Sequence, residues 1–169
     1  EPYETVQVNA LGTSNVMEAA RQVDTTERVV YASGINYHGL DQSFFGQRPL
    51  IEEDEPRPRQ LYGLTKVLME FLANSYTENY GLQTHGVRIC TAFGHGRIGG
   101  VSAWSGSIVS LPAIGKSVHV PFSPNEPSAM IYVDDVAEIF ARLALTQKLN
   151  HPVYFTGGEL VTSGEFGQI

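Results

Sequence analysis

Leu61-Tyr62-Gly63-Leu64-Thr65-Lys66-Val67-Leu68-Met69-Glu70-Phe71-Leu72 is the stretch whose periodicity decides the architecture. Its apolar residues Leu61, Leu64, Leu68, Phe71 and Leu72 step by three and four, and the pattern stops at Gly81, where a helix C-cap belongs. A helix over residues 61–79 is expected. Upstream, residues 39–59 hold Gly39, Gly46, Pro49, Pro56 and Pro58 beside several acidic side chains, a composition that sustains neither a helical nor a strand period. Before that loop, Arg28 to Ser33 (RVVYAS) is short, β-branched and aromatic, which reads as a buried strand. Val8, Leu11, Val16, Met17 and Ala20 mark a further helix over residues 5–22.

Downstream, Thr84 to Phe93 (THGVRICTAF), Val118 to Phe122 and Val153 to Thr156 are strand candidates. Asp134 and Asp135 suit a helix N-terminus, and Val136, Ile139, Phe140, Leu143 and Ala144 continue it. Helix and strand alternate throughout, the signature of an α/β protein with a parallel sheet.

Composition narrows the function. With 11 basic residues scattered among 18 acidic ones, a net charge of −7 leaves no basic patch for nucleic acid. No apolar run reaches the length needed to cross a bilayer. The single cysteine, Cys90, requires no oxidising compartment, so a cytoplasmic setting is expected. His38, His85, His95, His119 and His151 share no ligand spacing, and no metal is expected. The chain opens at Glu1 without Met and enters helical pattern at once, so an upstream segment is expected to have been removed or not to be included in this sequence.

Tyr62 and Lys66 stand four apart on the strongest helix, on one face. An ammonium near a phenol stabilises the phenolate, lowering its pKa from about 10 and making the tyrosine a proton donor or acceptor for an alcohol or ketone.

In this context the sequence resembles the extended short-chain dehydrogenases/reductases, the NAD-dependent epimerase/dehydratase family. Asn9-Ala10-Leu11-Gly12-Thr13-Ser14-Asn15-Val16 resembles the family's helix before the strand and Ser-rich turn matched by Val29 to Gly39. Leu61 to Lys66 matches its Tyr-x-x-x-Lys helix, Gly86-Val87-Arg88 to Gly94 its next strand, Ile131 to Ala137 its Tyr-Val-Asp-Asp-Val segment, and Val153 to Gly158 a closing strand and turn. The resemblance implies the C-terminal part of a doubly wound, Rossmann-like parallel sheet with a small substrate-binding region. Residues 1–95 would be the second half of the NAD(P)-binding domain. Residues 96–169 would be the substrate region, interleaved with late Rossmann elements in one structural unit.

By the same resemblance Tyr62 is the general acid/base, and Lys66 holds the nicotinamide ribose of NAD or NADP. Asn9, Ala32 and Ser33 would lie at the cofactor, and Gly34, Thr91, Trp104 and Arg97 at the substrate. The family's catalytic Ser or Thr falls at Gly34, so Ser33 is the candidate to replace it. Pro127-Ser128-Ala129-Met130 stands where nucleotide-sugar enzymes carry an arginine for the substrate pyrophosphate. The family's cofactor fingerprint lies upstream of this chain. Gly94-His95-Gly96-Arg97-Ile98-Gly99 has that spacing but lacks the following acidic residue that would bind a ribose hydroxyl.

Two readings follow. The first is an NAD(P)-dependent oxidoreductase or epimerase of a sugar-like or other small molecule. The second is a catalytically silent remnant that serves as a folded, self-associating module. Deleting the first strands of such a sheet exposes Val29, Val30 and Tyr31 along an edge, so a homodimer or pairing with the missing N-terminal fragment is expected.

Overall fold

The computed structural model describes the chain except for Leu40, Asp41, Gln47, Arg97, Ile98, Gly100, Val101, Pro121 and Ile169. It divides into two compact units, Glu1–Ile89 with Phe140–Phe155, and Cys90–Ile139 with Thr156–Ile169.

The first unit opens with a continuous helical run: α1 (Pro2–Thr5), a π-helical stretch over Val6–Leu11, and α2 (Gly12–Arg21). Pro2 sits in the first turn, where a missing N–H costs nothing. Strand β1 (Arg28–Gly34), helix α3 (Leu61–Tyr80) and strand β2 (Gln83–Ile89) follow. Helix α3 stops at Gly81, whose φ of 72° is the left-handed conformation that glycine takes without a Cβ penalty. Strand β1 pairs in parallel with β2 from Arg28 opposite Gln83 to Gly34 opposite Ile89, and β2 pairs in parallel with β5 (Val153–Phe155). In the order β1-β2-β5, β1 is an outer strand. Met17, Tyr31, Met69, Ala73 and Leu82 form the core between helices and sheet.

The apolar stripe that marks α3 in the sequence is its outward face. Leu61, Leu64, Leu68 and Phe71 are exposed by 38, 55, 44 and 63%, while Gly63, Thr65, Lys66, Met69, Glu70 and Ala73 are buried. The helix is thus turned against the usual amphipathic rule, with two charged residues inside.

The second unit is built on a separate sheet in which β3 (Thr91–Phe93) runs parallel to β4 (Pro127–Tyr132), and β4 antiparallel to β6 (Glu159–Thr162). The expected strand over residues 84–93 is therefore two strands in two sheets. They part at Cys90, whose amide donates to the Thr156 hydroxyl at 3.2 Å instead of joining a ladder. The expected strand at 118–122 is not formed among its described residues. Val118 and Val120 instead pack against a core of Ile108, Met130 and Phe166. Helix α4 (Trp104–Ser110) precedes β4, and α5 (Val133–Leu145) follows it, as the paired aspartates imply. The last turns of α5, from Phe140 on, belong to the first unit, where the carbonyls of Leu143 and of Thr146 just beyond the helix accept from Arg28 Nη1 at 2.7 and 2.6 Å. Helix α6 (Ser163–Phe166) is the last helix among the described residues.

Candidate active site

Lys66 is buried, 6% exposed, and its ammonium donates to the Ala32 carbonyl near the end of β1 at 2.9 Å. The Nζ atom lies 5.1 Å from the centroid of the Tyr62 ring, one turn earlier on α3. Burial pushes the Lys66 pKa down, and the Glu70 carboxylate opposes that shift. The Ala32 carbonyl takes one of three N–H donors, so the ammonium keeps capacity for hydroxyls brought to the strand end. Tyr62 itself is 45% exposed.

The first turn of α3 is fixed from two sides. Asn9 donates to Thr65 Oγ1 at 3.1 Å, and Thr65 donates on to the Tyr62 carbonyl at 2.7 Å, so Asn9 reaches the Tyr62 turn through Thr65. On the other side, a Cβ on Gly63 would collide with the Asn36 carbonyl oxygen and lie 3.0 Å from Pro58 Cβ. A residue without a side chain there lets the 3-10 turn Ile35–Tyr37 sit directly on the helix beside Tyr62.

Beneath this surface runs a buried polar network. Ser33, 3% exposed, donates from Oγ to Glu70 Oε1 at 2.5 Å. Arg88, also 3% exposed, grips the same carboxylate with Nε to Oε1 at 3.0 Å and Nη2 to Oε2 at 2.8 Å. Its Nη1 reaches His38 Nε2 at 3.0 Å and the Glu52 carbonyl at 2.8 Å, and its guanidinium lies 3.8 Å from the Tyr37 ring centroid. Arginine only donates, so His38 Nε2 accepts, and the ring is neutral with its proton on Nδ1, which faces the Glu55 carbonyl at 3.4 Å. Burial and the neighbouring guanidinium both hold the His38 pKa below its ordinary value. The network ties Tyr37, His38 and Glu52 to the sheet and to α3.

Of the residues named from sequence, Tyr62, Lys66, Ala32 and Asn9 meet here. Ser33 is adjacent, with its hydroxyl committed to Glu70. Gly34 is extended, and a Cβ on it would meet only the Asn36 Oδ1 and Ile89 O atoms, each at 3.8 Å. Thr91 and Trp104 belong to the second unit, where Thr91 Oγ1 lies 3.3 Å from Ser128 Oγ and Trp104 packs edge-on against Phe122. Arg97 lies outside the described residues. Sequence reasoning missed Gly63, Thr65, Glu70, Arg88 and His38. Arg88 carried a signal, because a charge inside an apolar strand has to be paired, and Glu70 is four residues beyond Lys66 on the same face.

The sequence pattern of the NAD dependent epimerase/dehydratase family matches residues 1–155. The chain belongs to that family. Its relatives include a protein of Methanocaldococcus jannaschii, 29% identical over 92% of this chain and 46% of the relative. A uronate dehydrogenase of Pseudomonas syringae is 34% identical over 54% of this chain and 32% of its own length. Among solved structures, the UDP-glucose 4-epimerase of Thermus thermophilus in complex with NAD is 28% identical, with a TM-score of 0.78 over 96% of this chain and 53% of that one. The match thus spans about half the length of the Methanocaldococcus protein and of the Thermus epimerase, and about a third of the uronate dehydrogenase. The α/β architecture with its parallel Rossmann-like sheet agrees with them, and among the described residues no helix is long and apolar enough to cross a membrane.

The site fits one end of a dinucleotide. Lys66 offers a buried ammonium, and Gly34 leaves the end of β1 unobstructed, as a ribose and nicotinamide require. The glycine-rich cradle that would take the pyrophosphate is not among these residues.

Proposed function

We propose that this chain is the proton-transfer half of an NAD(P)-dependent oxidoreductase or epimerase acting on a hydroxyl or carbonyl carbon of a sugar-like small molecule. The observation that carries the reading is the buried Lys66 ammonium held at the end of β1 beside the Tyr62 phenol. The cofactor, when bound, supplies hydride exchange at carbon. Tyr62 takes the alcohol proton when a ketone is made and returns it on reduction. Lys66 favours the ionised phenol through its charge and holds ribose hydroxyls through its free N–H donors. Asn9 and Thr65 fix the turn that carries the phenol, and Gly34 leaves room where a hydroxyl-bearing side chain would assist the reacting oxygen.

Ser128, with its hydroxyl beside Thr91, supplies no charge for a pyrophosphate, which favours a substrate without one. The uronate dehydrogenase relative acts on such a molecule, whereas the Thermus epimerase is named for a nucleotide sugar. In the protein as it works, a nucleotide-binding segment pairs with the outer edge of β1, and a second copy covers the outward stripe of α3. Thr91, Trp104 and Arg97 remain the substrate-side candidates.

NADH titration tests the proposal. A saturable change in NADH fluorescence and a raised melting temperature are expected, lost in Lys66→Met and kept in Tyr62→Phe, which loses only turnover. Absence of any shift favours the second reading, a cofactor-free, self-associating module.

A further inference from the structure

Lys66 and Glu70 are four residues apart on the buried face of α3, the spacing at which a lysine and a glutamate pair on a helix. In a dry interior that attraction is stronger than at a surface. Yet the ammonium donates to the Ala32 carbonyl and lies near the Tyr62 ring, and no ion pair joins Lys66 to Glu70. The carboxylate is already engaged at both oxygens, by three hydrogen bonds. Both Glu70 oxygens accept from Arg88, and Oε1 accepts from Ser33 as well. Arg88 is itself immobilised, with four of its five N–H donors used on Glu70, His38 and the Glu52 carbonyl, and its plane over Tyr37.

We propose that Arg88, assisted by Ser33, is a positioning residue that occupies Glu70 and so leaves the Lys66 ammonium to the strand end and to Tyr62. The charged or titratable groups around the pair are Tyr62 and Glu70 on α3, Tyr31 on β1, Tyr37 and His38 in the following turn, and Arg88 on β2. Of these, Arg88 alone both touches Glu70 and carries a compensating charge. The role rests on the proposed reaction pair, but it can be read without cofactor or substrate.

The chain has only three lysines, so the side-chain methylene of Lys66 can be followed in a carbon-13-labelled sample as pH is raised. Arg88→Met should raise the Lys66 titration midpoint by about one pH unit, because the freed carboxylate turns to the ammonium. The double variant Glu70→Gln with Arg88→Met should lose that rise. An unchanged midpoint in Arg88→Met, or equal shifts in the single and double variants, overturns the proposal, since loosened packing alone treats both alike. Should Arg88→Met not fold, Arg88→Lys takes its place: it keeps a charge but contacts one oxygen, and a smaller rise is expected, with no rise overturning the proposal. NADH titration of the wild type runs alongside. Failure to bind NADH sinks the proposed function while the lysine titration still decides the role of Arg88.

Discussion

Gly63 and Gly12 both lie in helices, and substituting each by alanine should shift stability in opposite directions. Helix propensity alone predicts a gain of about 1 kcal/mol at either position. At Gly12 the new Cβ meets only the Gln7 carbonyl oxygen at 3.6 Å, an ordinary contact. The propensity gain survives there, and for a chain of this size it raises the melting temperature by about 2–4 °C. At Gly63 the Cβ collides with the Asn36 carbonyl oxygen and stands 3.2 Å from its carbon. Because backbone rather than a flexible side chain is in the way, the cost falls in the upper part of the ~1–3 kcal/mol range for overpacking. Set against the propensity gain, the net loss is about 1–2 kcal/mol, or roughly 2–8 °C. Thermal melts of the two variants and the wild type measure the difference. Amide exchange should also accelerate at His38 and Gly39, whose N–H groups close the displaced turn onto Ile35 and Asn36 at 3.0 and 3.2 Å. A Gly63→Ala protein that melts as high as Gly12→Ala would refute the claim that the turn rests on the helix at this point.

Gly34→Ser should fold without loss, since its Cβ makes only ordinary contacts. In a cofactor-bound, turning-over protein it should raise kcat by up to about 100-fold, the scale of one added donor to a reacting oxygen, with steady-state rates as the check. The neutral, buried His38 makes stability fall in acid. Above the ordinary histidine value of 6.5 both states carry an uncharged ring, and below it the unfolded chain takes a proton that the fold resists. Melts from pH 8 to pH 5 should therefore slope downward below about 6.5, at up to about 1.4 kcal/mol per pH unit from this residue, and His38→Gln should flatten that slope. Leu64→Glu with Phe71→Glu places charges in the outward stripe of α3 and should shift sedimentation from dimer to monomer without lowering the melting temperature of the dilute protein. Sedimentation unchanged by the charges removes the stripe from the proposed interface.

The parts of the fold legible in the sequence are those where one local rule dominates. Residues 28–34 and 61–80 each carry a single period bounded by a loop or a glycine, and each forms the expected element with its ends shifted by at most a residue; the helix expected over residues 5–22 also forms, but with a π-helical stretch at Val6–Leu11 that the apolar spacing does not announce. Strand β2 was legible, but its separation from β3 was not. The break at Cys90 depends on an acceptor at Thr156, 66 residues away, and no local pattern announces it. Strands β4 and β6 escaped for a related reason. Pro127 begins one, the other is short and mostly exposed or half-buried, and their antiparallel pairing joins Pro127 to Thr162 across a long separation. Residues 118–122 have strand composition, yet Val118 and Val120 are used as packing against a core that the sequence does not outline.

The site divides along the same line. Tyr62 and Lys66 are readable because one helical turn brings them together, whereas Glu70, Arg88, Ser33 and His38 come from four segments and meet only in the folded chain. Helix α3 links the readable pair to the hidden network. Its visible apolar stripe faces outward, so the face turned inward has to accommodate Thr65, Lys66 and Glu70. Burying two charges without partners would cost several kcal/mol each, more than a protein of ordinary stability can absorb. Arg88 and the Ala32 carbonyl meet that demand, one for each charge. The inverted helix therefore makes two requirements at once: a buried arginine to neutralise Glu70, and a covering surface for Leu61, Leu64, Leu68 and Phe71. The first is met within this chain, and the second is what the proposed second copy would supply.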